Sequence, residues 1–427
     1  MLYGRVWRGV LAGIVALLAF LIGQSEHQTP LVHAGTPGVI PNSFIVILNA
    51  REDAERVADE MQRVHALRVG HVYRHAVRGF AVTMSPERAE ALKRDPRVKA
   101  VLSNQTFVLE GKPCRLNCGG GGSSTDSGPQ TVPPGIARIG ATVSSVVAGD
   151  GTGMVDVDVA VIDSGIDVDH PDLNVVGGYN CLGGPKRQFD DGYGHGTHVA
   201  GIIGARDNGF GVVGVAPGAR LWAIKVFNDL GYGTSESLLC GVDWVAAHAG
   251  RIDVANMSMS GIGEEGTCTD AGLHEAICNA VAAGVTFVVA AGNFAADAGN
   301  YIPARYDEVI TVSAIADYDG KPGGLGTSTD CTTPDDGWAA FSDYGADVDL
   351  TAPGVCVYST YKDGGYAVMS GTSMAAPHVA GAAALYRATH PYASPADVQA
   401  ALVASGTYDW TGDPDGMQEP LVNVSGY

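Results

Sequence analysis

Four residues spread over 210 positions of this chain have the types needed for acyl transfer: Asp163, His195, Asn293 and Ser373. A serine hydroxyl is a weak nucleophile in water. It becomes effective when a base takes its proton, an acid orients that base and donors meet the developing oxyanion. "GTSMAAPHVAG" (371–381) sets Ser373 among small residues at the start of a helix expected over 374–388. A helix start offers unpaired N–H groups to such an oxyanion. Pro377 falls early in that helix, where its missing N–H costs little, and His378 reads as structural. Asp163 ends the apolar run "VAVIDSG", and Asn293, a neutral amide donor, ends "FVVAAGN". His195 stands between glycines in "DDGYGHGTHVAG", with His198 three residues on. HGTH is not the HExxH zinc spacing and holds no glutamate base, so His198 reads as packing rather than as a ligand.

These residues need a scaffold that delivers strand ends and a helix start to one place. From residue 131 onward, apolar runs "DVDVAVIDSG" (156–165), "ARLWAIKVF" (219–227), "IDVANMSMS" (252–260), "GVTFVVAAG" (284–292) and "VITVSAI" (309–315) alternate with small-residue helical segments at 235–250 and 271–284. That pattern predicts an α/β fold, a mostly parallel sheet with helices on both faces. Before it, "SFIVIL" (43–48), a helix over 51–67 with Ala54, Val57, Met61 and Val64 on one face, "RGFAVTM" (78–84), a helix opening at Pro86 and "VKAVLSNQTFVL" (98–109) mark five elements of a β-α-β-β-α-β order. This predicts a small α+β domain over 35–111. Residues 112–130 read as a Gly/Ser-rich linker containing "CRLNC", and 131–427 as the main domain.

Residues 1–34 form a signal peptide: Arg5 and Arg8, then the apolar run 9–23, then "VHA" before a cleavage point after Ala34. The run falls short of the roughly 20 residues that span a bilayer, so the chain is expected to be secreted, with no stable membrane anchor. Charge is uneven: residues 1–130 carry 15 Lys+Arg and 11 Asp+Glu, and residues 131–427 carry 11 and 35, for the overall net −20. So acidic a body excludes a phosphate-backbone footprint, hence nucleic acid, and suits a soluble monomer. The eight cysteines read as disulfides in an exported protein. Pairing cannot be read from sequence; the expected closures are Cys268–Cys278 and Cys331–Cys356, leaving Cys181–Cys240.

The segments "VAVIDSGIDVDHPDL", "GHGTHVAGIIGA", "VVAAGN" and "GTSMAAPHVAGAAAL" resemble the subtilisin-like serine peptidases, most of all the proteinase K-like branch, over about residues 131–409. Residues 40–110 look like the inhibitory prodomain of that family. The resemblance implies a self-processing endopeptidase in which Asp163 orients His195, His195 is general base and then acid, and Ser373 attacks. Asn293 and the Ser373 N–H would form the oxyanion hole. It places the backbone of a polypeptide substrate against Ser258, Met259, Ser260 and Gly261, and lines the S1 pocket with Ala290, Ala291 and Gly292. Neither lining segment carries a charge, which implies an apolar or aromatic P1 residue. It also implies a structural Ca2+ site at Asp307, Val309 and Asp349, although relatives carry proline where Asp307 stands; "DVDHPD" (167–172) offers further carboxylates. The C-terminal strand of the prodomain, about 106–111, would lie in the substrate groove as an intramolecular inhibitor. An insertion at 319–338 reads as a surface loop, and "PLVNV" near the C-terminus as a last strand.

Two other functions are testable on the sequence. A catalytically silent binding protein of the same fold predicts damage to at least one of the four residues, and all are intact. An esterase or lipase predicts a G-x-S-x-G elbow and the order Ser, Asp/Glu, His. Here the serine sits in Gly-Thr-Ser-Met-Ala and comes last.

Overall fold

The computed structural model describes residues 38–65, 67–109, 129–263 and 266–427. The signal segment, most of the linker, and Cys114 and Cys118 lie outside the described residues. The N-terminal portion runs β1 (Val39–Leu48), α1 (Ala54–His65), β2 (Arg68–Tyr73), β3 (Gly79–Thr83), α2 (Pro86–Leu92) and β4 (Val98–Val108), the expected order. Helix α1 buries Ala54, Val57, Ala58 and Met61 against the sheet, an i, i+3, i+4, i+7 stripe. Val64, expected on that face, is 67% exposed, because the sheet does not reach the helix's last turn. Pro86 opens α2 as expected, but Ser85 makes no side-chain cap.

The main domain continues with α3 (Pro134–Arg138), β5 (Asp158–Asp163), β6 (Val175–Asn180), α4 (His195–Gly204), β7 (Arg220–Lys225), β8 (Tyr232–Thr234) and α5 (Ser235–Ala247). Next come β9 (Val254–Met257), β10 (Gly261–Ile262), α6 (Leu273–Ala282), β11 (Thr286–Ala290), β12 (Tyr301–Ile302) and β13 (Ile310–Ala316). The last elements are β14 (Leu350–Val355), β15 (Val357–Tyr361), β16 (Gly365–Met369), α7 (Thr372–Thr389) and α8 (Pro395–Ser405). Seven strands form one sheet in the order β14-β13-β11-β9-β5-β7-β6, every neighbouring pair parallel. Strands β5, β11 and β13 are buried throughout, as a sheet covered on both faces requires, whereas the edge strand β6 is only partly buried.

From β5 the connection runs outward to β7 and β6 on one side, and β9, β11, β13 and β14 follow on the other. The order therefore reverses between β5 and β9, and an open parallel sheet places its ligand site at the carboxyl ends of such strands. Asp163 ends β5 and Ser258 directly follows β9. Strand β6 escapes the sequence pattern because Gly177-Gly178 breaks the apolar run. Gly178 passes so near the Ala223 carbonyl oxygen and the Phe189 ring that no Cβ fits. Residues of "PLVNV" are buried and Leu421 bridges to Thr351 and Thr407, but they form isolated bridges rather than a strand. Three disulfides close, Cys181–Cys240, Cys268–Cys278 and Cys331–Cys356, the expected pairs. Among the described residues no helix is long and apolar enough to cross a membrane.

Candidate active site

Asp163 and His195 meet through the ends of two elements. The Asp163 carboxylate is wholly buried at the exit of β5, and His195, also wholly buried, is the first residue of α4. His195 Nδ1 lies 2.9 Å from both Asp163 oxygens. With Nδ1 donating to the carboxylate, the ring's basic lone pair is on Nε2, which is buried and has no hydrogen-bond partner among the described residues. Burial works against the charged ring, but the Asp163 charge, its hydrogen bond and the Asp191 charge together outweigh it and raise the His195 pKa.

Asp191 is a positioning residue that sequence reading missed. Its carboxylate accepts from the Tyr193, Gly194 and Thr197 N–H groups, the Thr197 hydroxyl at 2.6 Å and the Ser164 hydroxyl at 2.9 Å. Ser164 in turn accepts from the Gly196 N–H. The start of α4 is thereby fastened to the residue after Asp163. The signal was present in the sequence as the acid-rich turn "DDGYG", but nothing in it distinguishes this aspartate from Asp190.

Ser373 occupies the second position of α7, so the expected helix begins two residues early. Its hydroxyl donates to the Ser258 carbonyl oxygen at 3.1 Å, and its own carbonyl accepts from the Ser258 hydroxyl at 2.9 Å. The second contact follows from the sequence. An α-helical carbonyl at position 373 takes its hydrogen from the N–H at 377, and Pro377 has none. Ser258 supplies the missing donor, and Asn256 Nδ2 holds the Ser258 hydroxyl at 2.8 Å. Asn293 is fixed by the same helix start: its Oδ1 accepts from the Thr372 N–H and hydroxyl at 2.9 and 3.0 Å. That assigns the amide and turns Nδ2 to the opposite side.

His198 and His378 are buried and neutral, as expected of packing residues. Burial lowers the His198 pKa to about 3 and that of His378 to about 4. Ala290, Ala291 and Gly292 follow β11 inward as a buried wall, and the Gly292 N–H donates to the Thr372 hydroxyl at 3.2 Å. Asp343, outside the expected lining, lies directly behind Gly292 and accepts from the Phe294 and Ala296 N–H groups.

The sheet edge at β8 is paired from within the chain. Strand β4 continues its own sheet onto β8, antiparallel, with Thr106 opposite Thr234, Phe107 opposite Gly233 and Val108 opposite Tyr232. The Leu109 N–H then donates to the Gly231 carbonyl oxygen at 2.9 Å. The edge that receives this ladder is 231–234, which sequence reading did not single out. Of the expected segment 258–261, Gly261 lies under the Phe107 ring, where a Cβ would collide with it. Around this ladder Asp243 accepts the Arg74, His75 and Ala76 N–H groups, Glu236 meets His71 Nδ1 at 3.0 Å, and Lys99 meets Glu275 at 2.8 Å.

Among the expected cation ligands, Asp349 is half-buried and accepts from the Thr311 N–H at 2.8 Å and Gln399 Nε2 at 2.9 Å. Burial, with Asp347 and Asp307 adding their charges, pushes its carboxyl up to about 6. Val309 is buried at the entrance to β13 and Asp307 is exposed. In "DVDHPD", Asp172 is taken up by the Val212 N–H, Asn208 and Tyr366. The residue groups that close to metal-ligand distance lie elsewhere. One contains His274 and Glu308 with Cys268 and Cys278, which are disulfide-bonded to each other.

The Subtilase family profile matches residues 155–419, and that of the Peptidase inhibitor I9 matches 43–110. The chain belongs to the subtilase family. It is 40% identical over 298 residues to Subtilisin DY of Bacillus licheniformis, covering 69% of this chain and 98% of that protein. It is 35% identical to the Alkaline protease of Alkalihalobacillus alcalophilus over 87% of this chain and 82% of the relative. A solved structure, a cold adapted subtilisin-like serine proteinase, superposes with TM-score 0.56 at 33% identity, covering 68% of this chain and 97% of that one. The chain is a subtilase-fold serine protease carrying an I9 inhibitor segment.

Proposed function

We propose that this subtilase is a secreted, self-processing serine endopeptidase in which Ser373 is the nucleophile, His195 the base, Asp163 its orienting acid and Asn293 an oxyanion donor. The observation that carries the reading is the buried Asp163–His195 contact at 2.9 Å, which leaves Nε2 as the basic position of the ring. Ser373 Oγ turns from the Ser258 carbonyl to attack the substrate carbonyl and gives its proton to His195 Nε2. Asn293 Nδ2 and the Ser373 N–H receive the oxyanion. The imidazolium returns the proton to the leaving amine, and water then repeats the sequence on the acyl-enzyme.

Residues 35–111 act as the inhibitory prodomain, held by the β4–β8 ladder; 112–130 is the linker cut during maturation, and 131–427 is the enzyme. Substrate takes the place of β4 as an added strand, along 231–234 and over Ser258, Met259, Ser260 and Gly261. Ala290, Ala291 and Gly292 form the S1 wall and favour an apolar or aromatic P1 residue. We assign the enzyme to the proteinase K-like branch on the wording of its motifs, and to the extracellular space as a monomer. Asp349, with the carbonyls of Asp307 and Val309, holds a structural Ca2+. The deciding experiment expresses the wild type and Ser373→Ala with their signals, weighs each secreted product and assays it on a peptide amide with P1 Phe. A wild type shortened to a start between residues 111 and 131 and active, beside a full-length inert variant, is expected. Two folded, full-length, inactive products would overturn the proposal.

A further inference from the structure

The insertion after β13 carries its own cluster of acids. Asp317, Asp319 and Asp335 each bring an oxygen to within 4.8 Å of the others. Asp317, Asp335 and the adjoining Asp336 are 5%, 7% and 3% exposed. Arg138 from α3 enters this cluster, but its Nε hydrogen is donated to Asp336 at 2.8 Å and its Nη2 reaches Asp409. Asp317 Oδ2 lies 3.2 Å from the same Nε, is wholly buried and receives no hydrogen bond. The other Asp317 oxygen accepts the Gly320 N–H, and those of Asp335 accept the Tyr318 and Gly326 N–H groups. Arg138 thus meets two of the three buried carboxylates, Asp317 and Asp336, and a buried negative charge is costly unless a proton or a cation meets it.

We propose that Asp317, Asp319 and Asp335 form a calcium site, separate from the one at Asp349. Carboxylate oxygens carried on loops are the ligands this hard cation takes, at about 2.3–2.6 Å, so two oxygens up to about 4.8 Å apart can sit across one ion. No thiol or imidazole joins the set, which sets it apart from a zinc centre. The ion fastens the insertion, already closed by Cys331–Cys356, to the end of β13. Through Arg138 and Asp409 it also braces α3 and the C-terminal tail. The inference uses no catalytic residue and stands apart from the proposed reaction.

The test uses the full chain with Ser373→Ala, stripped of metal by chelator, exchanged into chelator-free buffer and titrated with calcium chloride by calorimetry. Asp319→Asn is the informative variant, because Asp319 is exposed and its single described contact, the Lys321 N–H, is one an asparagine also accepts. The variant is expected to bind one calcium fewer, or at least tenfold more weakly at one site, and to lose part of the calcium-induced rise in Tm. Its Tm in chelator should match the parent, and Asp349→Asn should retain this site. Terbium gives a readout independent of stability: Tyr318 lies between two ligands in sequence, so tyrosine-sensitised emission that calcium displaces and Tyr318→Phe abolishes is expected. Unchanged calcium stoichiometry and affinity in Asp319→Asn, or no calcium-displaceable emission, overturns the proposal.

Discussion

A histidine buried beside a carboxylate has its basicity set by two opposed effects, and at His195 the carboxylate wins. The free enzyme must hold the ring neutral to act as base, so the acid limb of kcat/KM is expected above the ordinary histidine value of about 6.5. Asp163→Asn removes both the charge and the tautomer control. It should lower kcat by about 10⁴-fold and move the limb down; a pH–rate profile with an unmoved limb would locate the titrating group elsewhere. Asn293→Ala removes one oxyanion donor and should cost about 10²–10³ in kcat with KM little changed, measured on the same peptide amide. For the ionisable pair itself the sign is opposite to catalysis. The raised His195 pKa contributes stability that is full below the unfolded value and is lost as pH rises through the folded one.

Among the elements, α7 depends on a side chain from another segment for one of its own backbone carbonyls. Ser258→Ala leaves the Ser373 carbonyl buried with no donor, and the expected loss is about 1–3 kcal/mol in denaturant unfolding. Pro377→Ala restores a backbone N–H at the required position, so the double variant should recover most of that loss; additive losses would show that the Ser258 hydroxyl acts in some other way. This dependence also marks how far the sequence could be read. Asp163, His195, Asn293 and Ser373 could be singled out because their residue types stand at or just beyond element ends: Asp163 closes β5, Asn293 lies three residues past β11, His195 opens α4 and Ser373 is second in α7. Asp191, Asn256 and the edge 231–234 were not, because they act through backbone groups that only the fold brings near, and a polar residue in a loop has many equivalent readings. Strand β6 was lost for a similar reason: Gly177-Gly178 answers a steric demand from β7 and Phe189 and erases the apolar run.

At the scale of the whole molecule, the segment 35–111 proposed as the prodomain carries net +2 and the segment 131–427 proposed as the enzyme carries net −24. Separately expressed halves should therefore associate less tightly as salt is added, and an inhibition constant that ignores salt would leave the short-range ladder as the whole cause. The same acidity bears on Asp349. A half-buried carboxyl raised to about 6 binds a proton in the folded state more tightly than in the unfolded one. Its contribution to stability accordingly falls as pH climbs from about 4 to about 6. Thermal melts in chelator should show that decline, and calcium should flatten it. Finally, the site that holds β4 is an unfinished edge three residues long. A visitor is judged there first on whether its backbone can lie straight and offer unclaimed N–H and C=O groups, and only afterwards on its side chains. Chains that have lost their native shape meet that condition, whereas well-folded neighbours keep the same groups engaged. The edge is thus a gauge of disorder, and an enzyme built on it would clear damaged proteins while sparing intact ones.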